Sequence, residues 1–481
     1  MIAYRWIVVA LLGVMAATAS AQAPTAPDPP PPGPVSYYRE VRRIFQQNCQ
    51  GCHQPARAMG GYVMTDFANL LKAGDTGNPA VVPGHPEKSE LINQIRVEGG
   101  KALMPKNKQP LKPHEFALIE RWIREGAKDD TPKLAQDTIS DKNPPVYKQP
   151  PLITALDFSP DGQLLAVSGF HEVLLHKADG SGLVGRLIGL SERVQSLAFS
   201  PDGKSLAVAG GSPGRFGEVQ VWDVQRRKLR FSVSVTYDTL YGVSWSPDGT
   251  KIAFGCADNS LRAIDSSTGK QVLFQGAHSD WVLGTVFSRD SAHLISTSRD
   301  MSMKLTEVAT QRFVDNITSI TPGRLKGGLQ TVDLRPGQPE TKVKGVDGAD
   351  KIYDEVVVGG SDGTPRLYKI HRVKQRTIGD DDNKVRDYAP MPGRINAVRF
   401  NKTGTLFAAG SSSDGTGELR LYNVADGKIV AKLENTTPIF ALAFHPEGKT
   451  VAIAGFDGVI RLVDATTGKI SKEFLSVEKA K

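Results

Sequence analysis

The sequence predicts a multidomain chain in which a small all-α domain precedes a larger all-β domain. Residues 36–128 carry apolar side chains at helical spacing at both ends, and from about residue 151 a strand–turn–strand phrase recurs seven times. Composition agrees: Gly 48 and Pro 31 are together about one residue in six, which suits many short strands and argues against a helical bundle. With 481 residues, 40% hydrophobic and 23% charged, the chain can build two or three ordinary cores, and wholesale disorder is excluded. Three cysteines are too few to staple an exported fold, so cystine does not hold it together. Lys+Arg 59 against Asp+Glu 51 gives +8, but the positive residues are scattered, with no basic run or aromatic-interleaved stripe, which gives nucleic-acid binding no support.

In chain order, Arg5 is followed by an apolar stretch from Ile7 to Ala17 and then small residues through Ala23. This reads as a secretory signal peptide over 1–21, cleaved after Ala21, since a cut after Ala23 would place Pro24 directly beyond the scissile bond. The stretch falls short of the ~20 residues a membrane span needs, and nothing later reaches that length, so a periplasmic or otherwise exported, soluble product is expected. No cysteine follows the apolar stretch to carry a lipid. Residues 22–35 are a Pro-rich, extended spacer. In 36–128 the first helix carries Tyr37, Val41, Ile44 and Phe45 behind a Ser36 cap. The last carries Phe116, Ile119 and Ile123 after Pro113, with Gly126 as its stop. A second linker covers 129–150, and the β domain covers 151–481.

The repeated phrase reads LDFSPDGQLLAVSG at 156–169, LAFSPDGKSLAVAG at 197–210, VSWSPDGTKIAFGC at 243–256 and VFSRDSAHLISTS at 286–298. Fainter copies begin at 332, 398 and 442. Pro fixes φ at the second turn position, Asp-Gly closes the hairpin, and alternating small and β-branched residues suit strands packed on both faces. Third strands end in VQVWD, LRLYN and IRLVD. The array resembles the WD-repeat family, whose fold implies a seven-bladed β-propeller. It departs from that pattern in two ways: only Trp222-Asp223 preserves the family dipeptide, and the best copy of the family's polar network, His278, Ser298 and Asp300, has Thr306 in place of Trp. In the fifth repeat, charged loops at about 337–355 and 373–393 are expected to protrude.

Cys49-Gln50-Gly51-Cys52-His53 is the motif that carries chemistry. Chance would supply a C-x-x-C-H string on the order of a few times in ten thousand such chains, so it signals c-type haem attachment. Two thiols three positions apart reach the two vinyl groups of one haem, and the adjacent imidazole becomes an axial ligand. A redox disulfide would want a βαβ surround that is missing, and a zinc site would need two further ligands. Cys256, on a β strand, reads as a buried structural thiol. For the sixth ligand, Met104 sits in a Gly-, Lys- and Pro-rich loop before the closing helix. Met59 and Met64 compete but leave little chain to round the haem edge, and His85 and His114 are minor alternatives.

The string YYREVRRIFQQNCQGCHQP, then Val82-Pro83-Gly84-His85-Pro86, Met104-Pro105 and the Glu120–Ala127 close, resembles the planctomycete-type cytochrome c domain. Gln54-Pro55 stands where that family usually has Gly after the histidine. The resemblance implies one covalent haem c ligated by His53 and Met104, in an exported protein. Six-coordination suits passage of single electrons, and the reading is an electron carrier with no catalytic residue of its own and a propeller that docks an unidentified redox partner protein. Lys101, Lys106, Lys108 and Lys112 flank the distal loop, as a steering patch for an acidic partner or as a solvated loop. Two alternatives stand beside this: a propeller that carries a second cofactor and catalyses a periplasmic redox reaction, and a haem that acts as a redox or gas sensor on a scaffold. Against the first, His171, His176, His371 and His445 fall at different repeat positions.

Overall fold

The structure, a computed structural model, describes residues 33–54, 57–106, 108–132, 139–276, 278–435 and 437–478. The expected signal peptide, most of the first spacer, Pro55 and part of the second linker lie outside the described residues.

The helical part begins with a wide turn, Tyr37–Val41, continuing into α1 (Arg42–Asn48). Ser36 caps it: its hydroxyl accepts the Arg39 N–H at 3.0 Å, and the Glu40 carboxylate accepts the Ser36 N–H at 2.8 Å. The chain end of this part returns to the same place, where Asp130 accepts from the Ser36 hydroxyl and the Tyr38 N–H, and Glu125 accepts from the Val35 N–H. Between them lie α2 (Phe67–Leu70), α3 (Glu90–Ile95) and α4 (Pro113–Arg124). Helix α4 starts on Pro113, with Glu115 accepting the Lys112 N–H at 2.8 Å. It stops at Gly126, where φ is +99° and the Ala127 N–H reaches back to the Trp122 carbonyl. Tyr37, Val41, Ile44 and Phe45 are all buried and meet Ile119, Trp122 and Ile123 of α4 in one core. Tyr37 stacks on Trp122 at 5.3 Å, with Phe45 and Phe67 edge-on to the same indole. Helices α2 and α3 lie beyond the two that the sequence predicts, and the part expected to be all-α also holds a short antiparallel pair, β1 (His53–Gln54) with β2 (Arg57–Ala58).

The rest is antiparallel sheet. The first sheet has seven strands: β3 (Leu156–Phe158), β4 (Leu164–Ser168), β5 (Phe170–Lys177), β6 (Leu183–Phe199), β7 (Ser205–Ser212), β8 (Phe216–Asp223) and β9 (Lys228–Thr236). It holds two repeats, because the 17-residue β6 ends the first and begins the second. Five four-stranded sheets follow, beginning at Leu240, Val282, Leu329, Arg394 and Ile439. The marker turns share one chemistry. Ser159, Ser200, Ser246 and Ser288 each donate a hydroxyl to the Asp two residues on, at 2.5–2.6 Å. Gly162, Gly203 and Gly249 all have φ +71°, and Ser291 takes the same left-handed position in the fourth copy.

Each sheet is tied to the next. Val243 N–H donates to Ser196, Ser244 bonds Thr285, Arg289 pairs with Asp354, Phe400 N–H donates to Asp333, and Asn396 donates to the Ile439 carbonyl. Within the seven-stranded sheet, Asp157 accepts the Phe199 N–H at 2.8 Å, and burial pushes its carboxyl up to about 6. The last sheet packs on the first: Ala443, Ala454 and Ile460 share a core with Leu156, Leu165 and Leu174, and Ile153 N–H donates to the Gly455 carbonyl. One cavity is lined by residues in or next to the first strand of every repeat, from Thr154 to Leu442. The last sheet is completed by its own strand, Ile470–Leu475.

Two expectations are corrected. The span 373–393 is not all loop, because Lys384–Asp387 pairs with Arg366–Lys369 as the fourth strand of its sheet. Its polar side chains, typical of an exposed outer strand, hid it from an apolar pattern. The other expected protrusion contains a hairpin, Lys342–Lys344 against Asp350–Ile352. In the polar network, His278 bonds Asp300 at 2.9 Å as expected, but its serine is Ser296 at 2.8 Å, not Ser298. Ser298 is held by the Asp280 carbonyl, and buried Thr306 Oγ1 has no partner among the described residues.

Candidate functional site

Helix α1 delivers Cys49 as its C-cap, with the Cys49 N–H bonded to the Phe45 carbonyl. The next turn is wound on Cys49 itself, whose carbonyl accepts the N–H groups of both Cys52 and His53 at 3.1 Å. The two thiols and the imidazole therefore project from a single turn, and both thiols are free. Cys49 packs against the helical core, and desolvation pushes its thiol up to about 12.

His53 Nδ1 faces the Tyr62 carbonyl at 3.3 Å. An N–H donated there places the ring's lone pair on Nε2, the atom a metal would take. The Tyr62 ring lies edge-on to His53 at 5.5 Å and is held by its hydroxyl on the Leu70 carbonyl. The Met64 N–H returns to the His53 carbonyl at 2.8 Å, and the buried Gln50 amide donates to the Met64 carbonyl at 2.8 Å. Gln54, also buried, donates to the Gln50 carbonyl, while its buried Oε1 has no partner among the described residues.

The sixth-ligand candidates separate by burial. Met64 is core filler at 1% exposure, whereas Met59 is exposed on a three-residue turn. Met104 is half-buried against the core cluster that Cys49 touches, and its N–H is anchored to the Gln94 carbonyl of α3 at 2.8 Å. His85 is exposed and bonded to Glu87, and His114 is exposed on α4. The donor set thus fits a haem c: two free thiols and an oriented imidazole on one turn, with a thioether on the same core. Lys101, Lys106, Lys108 and Lys112 are all exposed around that loop.

Sequence reasoning missed Tyr62, Gln50 and Gln54, since a carbonyl acceptor and two buried amides leave no motif. It also missed the contacts of α1 with β9, where the Ser234 hydroxyl donates to the Gln46 carbonyl and the Gln47 amide donates to the Thr236 carbonyl. Elsewhere, Cys256 is fully buried, and burial pushes its thiol up to about 12. His371 lies edge-on to His293 at 4.7 Å, a pairing that repeat positions did not predict. Burial lowers both imidazoles, His371 to about 4. No helix among the described residues is long and apolar enough to cross a membrane.

Comparison with known proteins matches residues 49–108 to the Planctomycete cytochrome C family. Residues 230–265, 269–306 and 427–464 match the WD domain, G-beta repeat. The chain is similar to Periodic tryptophan protein 2 of Arabidopsis thaliana, 25% identical over 53% of this chain and 25% of that protein. It is similar also to Mitotic checkpoint protein bub-3 of Caenorhabditis elegans, 23% identical over 44% of this chain and 58% of that protein. WD repeat-containing protein 1 of Bos taurus is 32% identical over 19% of this chain and 16% of its own length. The chain thus spans less than two thirds of the length of each of these relatives. The chain joins a planctomycete cytochrome C segment, carrying the Cys49–His53 turn, to an array of WD40 repeats.

Proposed function

We propose that this protein is an exported c-type cytochrome that passes single electrons through one covalent haem, with its WD array serving as a docking platform for a redox partner. The observation that carries the reading is the Cys49–His53 turn, which presents two free thiols and an imidazole whose Nδ1 is committed to the Tyr62 carbonyl. Cys49 and Cys52 would form the thioethers, His53 Nε2 would be the proximal ligand and Met104 the distal one. Such a haem supplies one-electron chemistry and leaves no open position for substrate. Phe45, Ile92 and Trp122 belong to the buried core that Cys49 and Met104 pack against, and the Gln94 carbonyl accepts the Met104 N–H. Lys101, Lys106, Lys108 and Lys112 give the distal rim a positive field that would draw an acidic partner.

For the repeats, the proposal is a closed seven-bladed propeller over 151–481, following a cytochrome domain over 36–128. Support comes from the ties between successive sheets, the core shared by the last and first, and the cavity lined by all seven first strands. A signal peptide over 1–21 would export the chain.

The distal assignment is tested by the ferric spectrum of the haem-loaded full-length protein. Met104→Ala should abolish the sulfur-to-iron charge-transfer band and let the ferrous iron bind CO, while Met59→Ala should leave both as in the parent. A band that survives in Met104→Ala overturns the ligand assignment.

A further inference from the structure

Strand β9 is the edge of the seven-stranded sheet, and edge carbonyls need partners. The helical part supplies one. Thr236 O accepts the Gln47 side-chain amide at 3.0 Å, and two residues earlier Ser234 Oγ donates to the Gln46 carbonyl at 2.8 Å. Gln46 lies in the last turn of α1, where carbonyls lack a partner within the helix, so Ser234 acts as a cap contributed from about 190 residues away. Two further residues back, the Ser232 carbonyl sits so close to Gly51 that a Cβ there would lie 2.5 Å from its oxygen. Residue 51, between the two cysteines, must therefore lack a side chain because of β9. Strand β2, just after His53, lies against β9 as well.

Contacts at 232, 234 and 236 thus hold the end of α1 and the thiol-bearing turn, and the paired strand after His53 rests on the same edge. From this we infer that β9 is a positioning element of the haem site: its edge sets the backbone of residues 46–53, and with it the orientation of the His53 imidazole against the Tyr62 carbonyl. The inference rests on the haem reading above and extends it: the WD array is the seat of the cofactor loop as well as a platform. Ser234 and Gln47 make their bonds to the Gln46 and Thr236 backbone carbonyls, and in this reading act through the loop.

The test uses full-length haem-loaded protein and the variants Ser234→Ala, Gln47→Ala and Lys472→Ala, the last on the exposed outer strand of the final sheet. Two quantities are read: amide exchange across residues 46–54, and the midpoint potential of the haem. Losing one hydrogen bond should speed exchange in that segment by roughly 2- to 12-fold in Ser234→Ala and in Gln47→Ala. Both should also move the potential, and Lys472→Ala should change neither quantity. Unchanged exchange in both variants, or an unchanged potential in both, overturns the inference. A parent protein that carries no low-spin, His-ligated haem overturns instead the reading beneath it, and is recognised before any variant is made.

Discussion

The helical part and the WD array hold their shapes in different ways. Residues 35–127 share one small core that includes Trp122, and the groups proposed to hold the haem hang on loops around it: the Cys49–His53 turn, the Tyr62 carbonyl and the Met104 loop. The array divides its core into separate clusters, mostly shared between adjoining repeats, so that loss at one seam leaves the other seams intact. A unit with one core is sensitive everywhere, while a repeated unit is sensitive locally, and that difference governs what each substitution should do.

The largest expected effect falls on the site. Cys49→Ser with Cys52→Ser should remove all covalently held haem, read as loss of haem stain on a denaturing gel, while the β-sheet circular dichroism signal of the array persists. Next come the cores. Trp122→Ala should cost about 3–5 kcal/mol, enough to unfold a small helical unit in the range of marginal stability. Ile460→Ala, in the cluster shared by the last and first sheets, should cost about 2–5 kcal/mol and raise amide exchange at both ends of the array with little change in the middle repeats. If exchange rises evenly through all repeats, the seams are not independent. The smallest effect is pH-dependent. Burial lowers His371 to about 4, so the unfolded chain binds the extra proton between that value and about 6.5, and stability falls as pH drops through this window. His371→Gln should therefore lose less stability than the parent between pH 7 and pH 4.5, by on the order of 2 kcal/mol in denaturant titrations. Asp157, which titrates nearby with the opposite sign, is common to both proteins and cancels.

The two regions also differ in how much of them could be read from the chain. Repetition made the array legible, since four SPDG-type turns recur with hydroxyl–carboxylate bonds that local sequence dictates. The strand Lys384–Asp387 escapes because an outer strand of mostly polar residues has no apolar signature, and Ser298 stands in for Ser296 in the sequence reading because spacing alone does not say which hydroxyl of a strand faces a histidine 18 residues earlier. In the helical part the Cys49–His53 motif and the helix caps at Ser36 and Pro113 were legible, being local. Tyr62 was not, because a backbone carbonyl can belong to any residue, and the seat on β9 was not, because it joins residues about 190 apart.

The most direct measurement is a potentiometric titration of the purified full-length protein, followed by its visible spectrum in both oxidation states. The account predicts a single one-electron wave, with a low-spin, six-coordinate spectrum in the oxidised and the reduced form and no CO binding by the native ferrous protein. A high-spin reduced iron that binds CO readily, or a second wave from another cofactor, would contradict it.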